Sequence, residues 1–179
     1  MSLSELDPRT WSRFNAGRFG AGLVVAHGGM VSRVRLPSPE YAGSLDAAWD
    51  AVRKDFSPLA QAPEPSGYAL EAATRLEDLF ESGRNVADLR YVVPDSGPFW
   101  RRVWELCAQI PRGRTVTYAD LARMAGSPRA TQSVGNAMAK NQLPLLIPCH
   151  RVVNTESRVI RYGGGAEMKL HLLELERAG

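Results

Sequence analysis

The chain has few residues able to hold a metal or carry redox chemistry. Its 179 residues include two cysteines, Cys107 and Cys149, and three histidines, His27, His150 and His171. Nowhere do these fall at zinc-ligand spacing. No stretch approaches the roughly eighteen consecutive apolar residues that a membrane span requires, so no membrane partner is expected. Met1 to Arg13 mixes acids and bases without an apolar segment. No secretory signal is therefore expected, and a cytoplasmic protein with reduced thiols follows. Paired aromatics at the spacing of a single-strand stacking platform are also missing, and Trp49, Trp100 and Trp104 read as core or domain-interface residues. The hydrophobic share is 44%, which excludes disorder along the whole length.

Charge is unevenly spread. Residues 1–92 carry ten Lys and Arg against twelve Asp and Glu, a balance of −2, whereas residues 93–179 carry twelve against seven, a balance of +5. A basic half suits a partner with phosphates, although solvated surface charge alone would also produce it. Pro94-Asp95-Ser96-Gly97-Pro98 punctuates the chain between the two. The expected domains are 1–93, an α/β scaffold, and 94–179, which holds the chemistry.

In the first half, the first fifteen residues read as irregular. Apolar stretches on either side of His27-Gly28-Gly29 predict a β-hairpin within Gly20–Leu36. Leu45, Ala48, Trp49, Val52 and Phe56 recur at helical spacing, and the three prolines of Ser57–Gly67 mark a loop. A second amphipathic helix is predicted over Tyr68–Ser82 with Gly83 as its stop, then a strand over Val86–Val93. In the second half, Phe99–Ile110 reads as a helix, with Cys107 as a core residue. Thr117 and Asp120 form a capping-box pattern at the start of a helix running to about Met124. Gly126-Ser127-Pro128 predicts a turn, with Ser127 as N-cap and Pro128 at the first position of a helix reaching about Lys140. Two short helices about a glycine turn are a helix-turn-helix pattern, which any helical hairpin also satisfies. The second helix is built mostly of small side chains. This suits close approach to a duplex gripped by its backbone, or tight packing on a neighbouring helix. Arg158–Tyr162 reads as a strand and Ala166–Arg177 as a helix.

One stretch concentrates chemistry: Ile147-Pro148-Cys149-His150-Arg151-Val152. A thiolate is the reactive form of cysteine, and cationic or basic neighbours favour it. The stretch therefore reads as a nucleophile at the end of a buried strand, though an isolated cysteine is also a common core residue. Glu176 falls near a predicted helix C-terminus, where the helix dipole disfavours an acid. It needs another reason to be there, such as orienting a histidine.

These residues carry a resemblance. Phe99 with Val103-Trp104, Pro111-Arg112-Gly113 leading to Tyr118, and Ser133-Val134-Gly135 leading to Asn141 come first in order. The Pro-Cys-His-Arg core, Tyr162-Gly163-Gly164-Gly165, and Lys169 with Leu172-Leu173 and Glu176 follow. Together they resemble the O6-alkylguanine-DNA alkyltransferases (methylated-DNA–protein-cysteine methyltransferases) over roughly half the chain. The resemblance implies a ribonuclease-H-like α/β N-terminal domain with a small antiparallel sheet, and a mainly α winged helix-turn-helix C-terminal domain. It implies single-turnover transfer of an alkyl group from guanine O6, and potentially thymine O4, in double-stranded DNA. The base would be flipped out of the duplex, and no metal or other cofactor would be needed. Cys149 would be the nucleophile, His150 its base through a water, and Glu176 the group that orients His150. Tyr118 would donate to the leaving guanine, and Asn141 would tie the helix-turn-helix to the active-site loop. Arg129, Thr131, Gln132, Ser133, Gly135 and Ala137 would face DNA. Met138, Val152, Val159, Ile160, Tyr162, Gly163 and Gly164 would wall the alkylguanine pocket. A monomer is expected, cytoplasmic and associated with the nucleoid in a bacterium or archaeon.

Three positions depart from the family pattern. Gln132 stands where an arginine is usual, Gln142 follows Asn141 in place of proline, and Ile160-Arg161 precede Tyr162 in place of a glycine and a small or polar residue. Gln132 brings no positive charge and less reach, and a bulky Ile160 narrows or reshapes the pocket. Two rivals follow. An alkyltransferase-like lesion-binding protein with weak or no transfer is compatible with Gln132. A thiol hydrolase is disfavoured, because neighbours on a strand point to opposite faces.

Overall fold

The computed structural model describes residues 10–37, 67–154 and 162–177. The chain divides into two compact units, Met1–Val92 and Val93–Gly179.

The first unit is built on a three-stranded antiparallel sheet in the order β1 (Thr10–Asn15), β2 (Ala21–His27) and β3 (Met30–Arg35). The predicted hairpin is β2–β3. Gly28 and Gly29 both lie at positive φ, 57° and 66°, as the two central residues of a type I′ turn must. That turn's twist matches the flanking strands, which is why a Gly-Gly step works here. Gly22 to Ala26 are all buried, so β2 shows no in–out alternation. Helix α1 (Gly67–Ser82) packs on β1 and β2 through Ala69, Ala72, Ala73, Leu76, Leu79 and Phe80. Phe80 stacks on Phe14 of β1 at a ring separation of 6.2 Å.

Two expectations for this unit are corrected. Thr10–Asn15 is a strand where irregular chain was expected. Its Trp11, Ser12 and Phe14 are buried in pairing with β2, and non-local pairing leaves little local signal. The strand expected over Val86–Val93 is a turn followed by a single parallel bridge, Tyr91 to Val31. Val86 and Leu89 are both buried by a turn in which the Leu89 N–H donates to the Val86 carbonyl at 3.1 Å. The Asn85 side chain accepts from the Ala87 N–H at 3.0 Å, an Asx turn that competes with extended chain. The helix expected around Leu45–Phe56 and the loop after it lie outside the described residues, as does the strand Arg158–Tyr162 apart from its last residue.

The second unit contains α2 (Pro98–Ala108), β4 (Val116–Thr117), α3 (Tyr118–Met124), α4 (Thr131–Ala139), a 3₁₀ turn (Cys149–Arg151), β5 (Val152–Val153) and α5 (Ala166–Arg177). Strands β4 and β5 pair in parallel. The capping box forms as the sequence predicts: Thr117 Oγ1 accepts from the Asp120 N–H at 3.0 Å and Asp120 Oδ2 accepts from the Thr117 N–H at 3.1 Å. Gly126, at φ 75°, ends α3. The Ser127 N–H donates to the Ala122 carbonyl and the Gly126 N–H to that of Arg123, both at 2.9 Å, which is the Schellman arrangement. Ser127 is not the cap of the next helix. Its carbonyl accepts from the Ala130 N–H at 2.9 Å, so Pro128 sits at the second position of a β-turn, where its fixed φ also fits, and α4 starts at Thr131.

Two tryptophans hold α4 against α2. Trp104 Nε1 donates to the Ala137 carbonyl at 2.9 Å and Trp100 Nε1 to Ser133 Oγ at 3.2 Å. The small residues of α4 allow this close approach, and Ala137 is wholly buried under Trp104.

Candidate active site

Cys149 sits in the 3₁₀ turn between the apolar segment Leu143–Pro148 and β5, not at a strand end as expected. Proline at 148 and the short strand after it leave room for one tight turn only, in which the Arg151 N–H donates to the Pro148 carbonyl at 2.8 Å. The approach is strained, because Leu145 lies at φ 78°, a conformation costly for a branched side chain. Asn141 holds it in place. Its Nδ2 donates to the Ile147 carbonyl and its Oδ1 accepts from the Leu143 N–H, both at 2.9 Å. One amide thus bridges the end of α4 to the residues leading into Cys149.

His150 is buried, and its Nε2 lies 2.8 Å from Glu176 Oε1. Nδ1 is buried with no hydrogen-bond partner among the described residues. A carboxylate accepts only, so its bond to Nε2 places the proton of a neutral imidazole there and leaves Nδ1 basic. In a 3₁₀ turn, unlike an extended strand, the adjacent side chains of Cys149 and His150 need not point to opposite faces.

Glu176 carries more partners than the sequence suggested. Arg151 Nε donates to its two oxygens at 3.0 and 3.1 Å, Arg151 Nη2 donates to Oε1 at 2.8 Å, and the Gly113 N–H approaches Oε2 at 3.4 Å. Burial raises the Glu176 pKa, but the hydrogen bonds from His150 and Arg151 and their charges outweigh it and hold the carboxyl at about 2. For His150 burial is the larger effect and lowers its pKa. The bond to Glu176 opposes this, and the charges of Arg151 and Lys169 add to the lowering. Burial pushes the Cys149 thiol up, against the pull of Asn141, the Lys169 ammonium and the N–H groups of the turn. Lys169 is itself buried and donates to the Val152 carbonyl at 2.7 Å. Cys107 on α2 is buried and free, and burial raises its thiol as well.

Tyr118 opens α3, half-buried. Burial raises its pKa first and negative charge at Cys149 next, so the phenol stands within electrostatic reach of that sulfur. Tyr162 packs its ring edge-on to His150 at 6.4 Å, with a buried hydroxyl that has no partner among the described residues. Met138, Val152 and Gly164 are buried, and Gly163 is exposed. Val159 and Ile160 lie outside the described residues. Arg129, in the turn before α4, is exposed; on α4, Thr131 and Gln132 are exposed, Ser133 and Gly135 half-buried, and Ala137 buried. Ala137 therefore belongs to the packing face and Asn136 to the exposed one. Gln132 Nε2 donates to Asn136 Oδ1 at 3.2 Å.

Sequence reasoning missed Arg151 as the partner of Glu176, and Arg112, whose Nη2 donates to the Leu175 carbonyl at 2.7 Å. The signal was present. An acid at a helix C-terminus needs cations to offset the dipole, and both arginines lie in segments singled out for other reasons. Among the described residues no cluster of His, Cys, Asp and Glu could hold a metal, and no helix is long and apolar enough to cross a membrane.

Residues 98–178 match the DNA-binding domain of 6-O-methylguanine DNA methyltransferase. A methylated-DNA–protein-cysteine methyltransferase of Mycobacterium leprae is 43% identical over 159 residues, which cover 88% of this chain and 87% of the relative. The constitutive enzyme of that name from Bacillus subtilis is 38% identical over 108 residues, covering 60% of this chain and 65% of its own length. The crystal structure of Mycobacterium tuberculosis OGT in complex with DNA superposes with a TM-score of 0.74 at 26% identity, covering 94% of this chain and 93% of that one. With a buried Cys-His-Glu constellation in the matching half and a relative aligned along most of both chains, this protein belongs to the methylated-DNA–protein-cysteine methyltransferase family.

Proposed function

We propose that the chain repairs double-stranded DNA by transferring an alkyl group, methyl above all, from guanine O6 to Cys149, once per protein molecule. The observation that carries this reading is the buried His150–Glu176 contact of 2.8 Å beside Cys149. Nδ1, the nitrogen that Glu176 leaves basic, takes the thiol proton through one bridging water, and the imidazolium is balanced by the carboxylate. The sulfur attacks the methyl carbon, a C–S bond forms, the O6–C bond breaks, and its electrons pass to the guanine. Tyr118 donates a hydrogen bond to the ring as that charge develops. The product is a thioether, which water does not cleave, so the sulfur is spent. A stacked base cannot reach a buried sulfur, so the nucleotide leaves the duplex first.

The second unit is read as a winged helix-turn-helix that meets DNA through Arg129 in the turn before α4 and Thr131, Gln132, Ser133 and Gly135 on it. The first unit is read as a ribonuclease-H-like scaffold. Asn141 positions the turn bearing Cys149, and Met138, Val152, Val159, Ile160, Tyr162, Gly163 and Gly164 wall the pocket. The protein acts in the compartment that holds DNA and as a monomer. A second reading, lesion binding with weak transfer, is favoured by Gln132, whose amide is bonded to Asn136 and must release it to enter a duplex.

Stoichiometry tests the proposal. Lesion-bearing duplex in excess should lose one O6-methylguanine per protein molecule and then no more. Cys149→Ser should repair none while still binding the duplex. Continued turnover, or binding without repair by the unsubstituted protein, would overturn the first reading, and the latter result would support the second.

A further inference from the structure

The C-terminal end of α5 is an unfavourable place for an anion. Its last carbonyls point there and the helix dipole repels negative charge, yet Glu176 is buried at that point. Two arginines resolve the conflict differently. Arg112 serves the helix, donating to the Leu175 carbonyl. Arg151 serves the side chain, with Nε and Nη2 both on the carboxylate while Nη1 donates to the Ile110 carbonyl just after α2 at 2.6 Å. Its guanidinium is therefore fixed at both ends, by the carboxylate and by a main-chain oxygen. The planar fork reaches them with three separate nitrogens in a fixed geometry, which the single nitrogen of an ammonium does not reproduce.

We infer that Arg151 is a positioning residue for the transfer: it locks the Glu176 carboxylate in the orientation that His150 requires, and its charge sets the pH range over which His150 accepts the thiol proton. The inference rests on the transfer reading above. A carboxylate alone beside a buried imidazole stabilises its protonated form. With Arg151 on the same two oxygens, the resting pair of Glu176 and neutral His150 is already balanced. The charged and titratable groups facing His150 are Glu176 and Lys169 from α5, Arg151 and Cys149 from its own turn, and Tyr162 from the segment before α5. Cys107 of α2 and Tyr118 of α3 face the same sulfur. Lys169 donates to a main-chain carbonyl and not to Glu176, so among the described cations Arg151 is the one bonded to the carboxylate that orients the base.

The test compares Arg151→Met and Arg151→Lys with the unsubstituted protein. It uses single-turnover transfer from O6-methylguanine duplex across pH and an NMR titration of the His150 ring in the resting protein. Removing the charge should move both the acid limb of the rate profile and the His150 titration upward by about one pH unit. Arg151→Lys keeps the charge but loses the fork, so its limb should stay in place while the rate falls at every pH. A limb unmoved in Arg151→Met, or moved equally in both variants, would overturn the inference. If Arg151→Met does not fold, the lysine variant decides: a shifted limb or an undiminished rate counts against Arg151. Absence of transfer by the unsubstituted protein would instead defeat the transfer reading, and the NMR titration would still decide whether Arg151 governs His150.

Discussion

Each unit contains an arginine–carboxylate pair, and the two differ in everything but chemistry. Arg75 and Asp88 meet at 2.6 Å with 65% of the Asp88 side chain exposed, whereas Arg151 and Glu176 meet at 2.8 Å with 3% of the Glu176 side chain exposed. The first pair links α1 to the turn after it and is screened by water, so its contribution to stability is small. The second has given up its hydration and is held by hydrogen bonds from three residues. A buried charge that loses its partner cannot recover that hydration, so breaking such a pair is costly even where forming it gained little. Distance alone would rank the pairs the wrong way. Burial and the number of partners are what set Glu176 apart from Asp88.

The contrast can be broken by substitution. Glu176→Gln leaves Arg151, whose side chain is 12% exposed, without its counter-ion and should lower stability by about 3–5 kcal/mol, read as an earlier denaturant midpoint. Asp88→Asn in the same assay should leave the midpoint where it is. Similar losses in both would show that burial is not what separates the pairs.

Acid should act next most strongly. Glu176 and His150 both have folded pKa values below their ordinary ones, so their stabilisation is complete above the ordinary values and is lost as pH falls. The His150 part should fade below about pH 6.5 and the Glu176 part between about 4.5 and 2, the latter on the order of 3 kcal/mol. Chemical denaturation between pH 8 and pH 3 checks this, and in Glu176→Gln the lower phase should vanish. A smaller effect is expected on α4. Gln132→Arg adds charge and reach on its exposed face, so it should speed repair in duplex DNA several-fold while leaving reaction with free O6-methylguanine unchanged. Equal acceleration of both would exclude a role in flipping.

How much of this was legible beforehand follows the same division. Thr117 with Asp120, the Gly28-Gly29 turn and the helix stop at Gly83 are local patterns, and the structure has each of them. The meeting of His150 with Glu176 was legible through a family pattern, and the odd placement of an acid at a helix end marked Glu176 independently. What escaped was non-local. Strand β1 exists because it pairs with β2, and the Val86–Leu89 turn exists because side chains three apart reach one core. Arg151 finds Glu176 only after twenty-five residues have folded back upon it. Ser127 misled for a local reason, since Ser-Pro fits a helix start and a β-turn equally well.

The most direct measurement is peptide mapping by mass spectrometry after incubation with a duplex containing one O6-methylguanine. The peptide bearing Cys149 should gain one methyl group, and the peptide bearing Cys107, a buried residue of α2, should gain none. A methyl group on Cys107 or any other side chain, with Cys149 unmodified, would contradict the proposed transfer to Cys149.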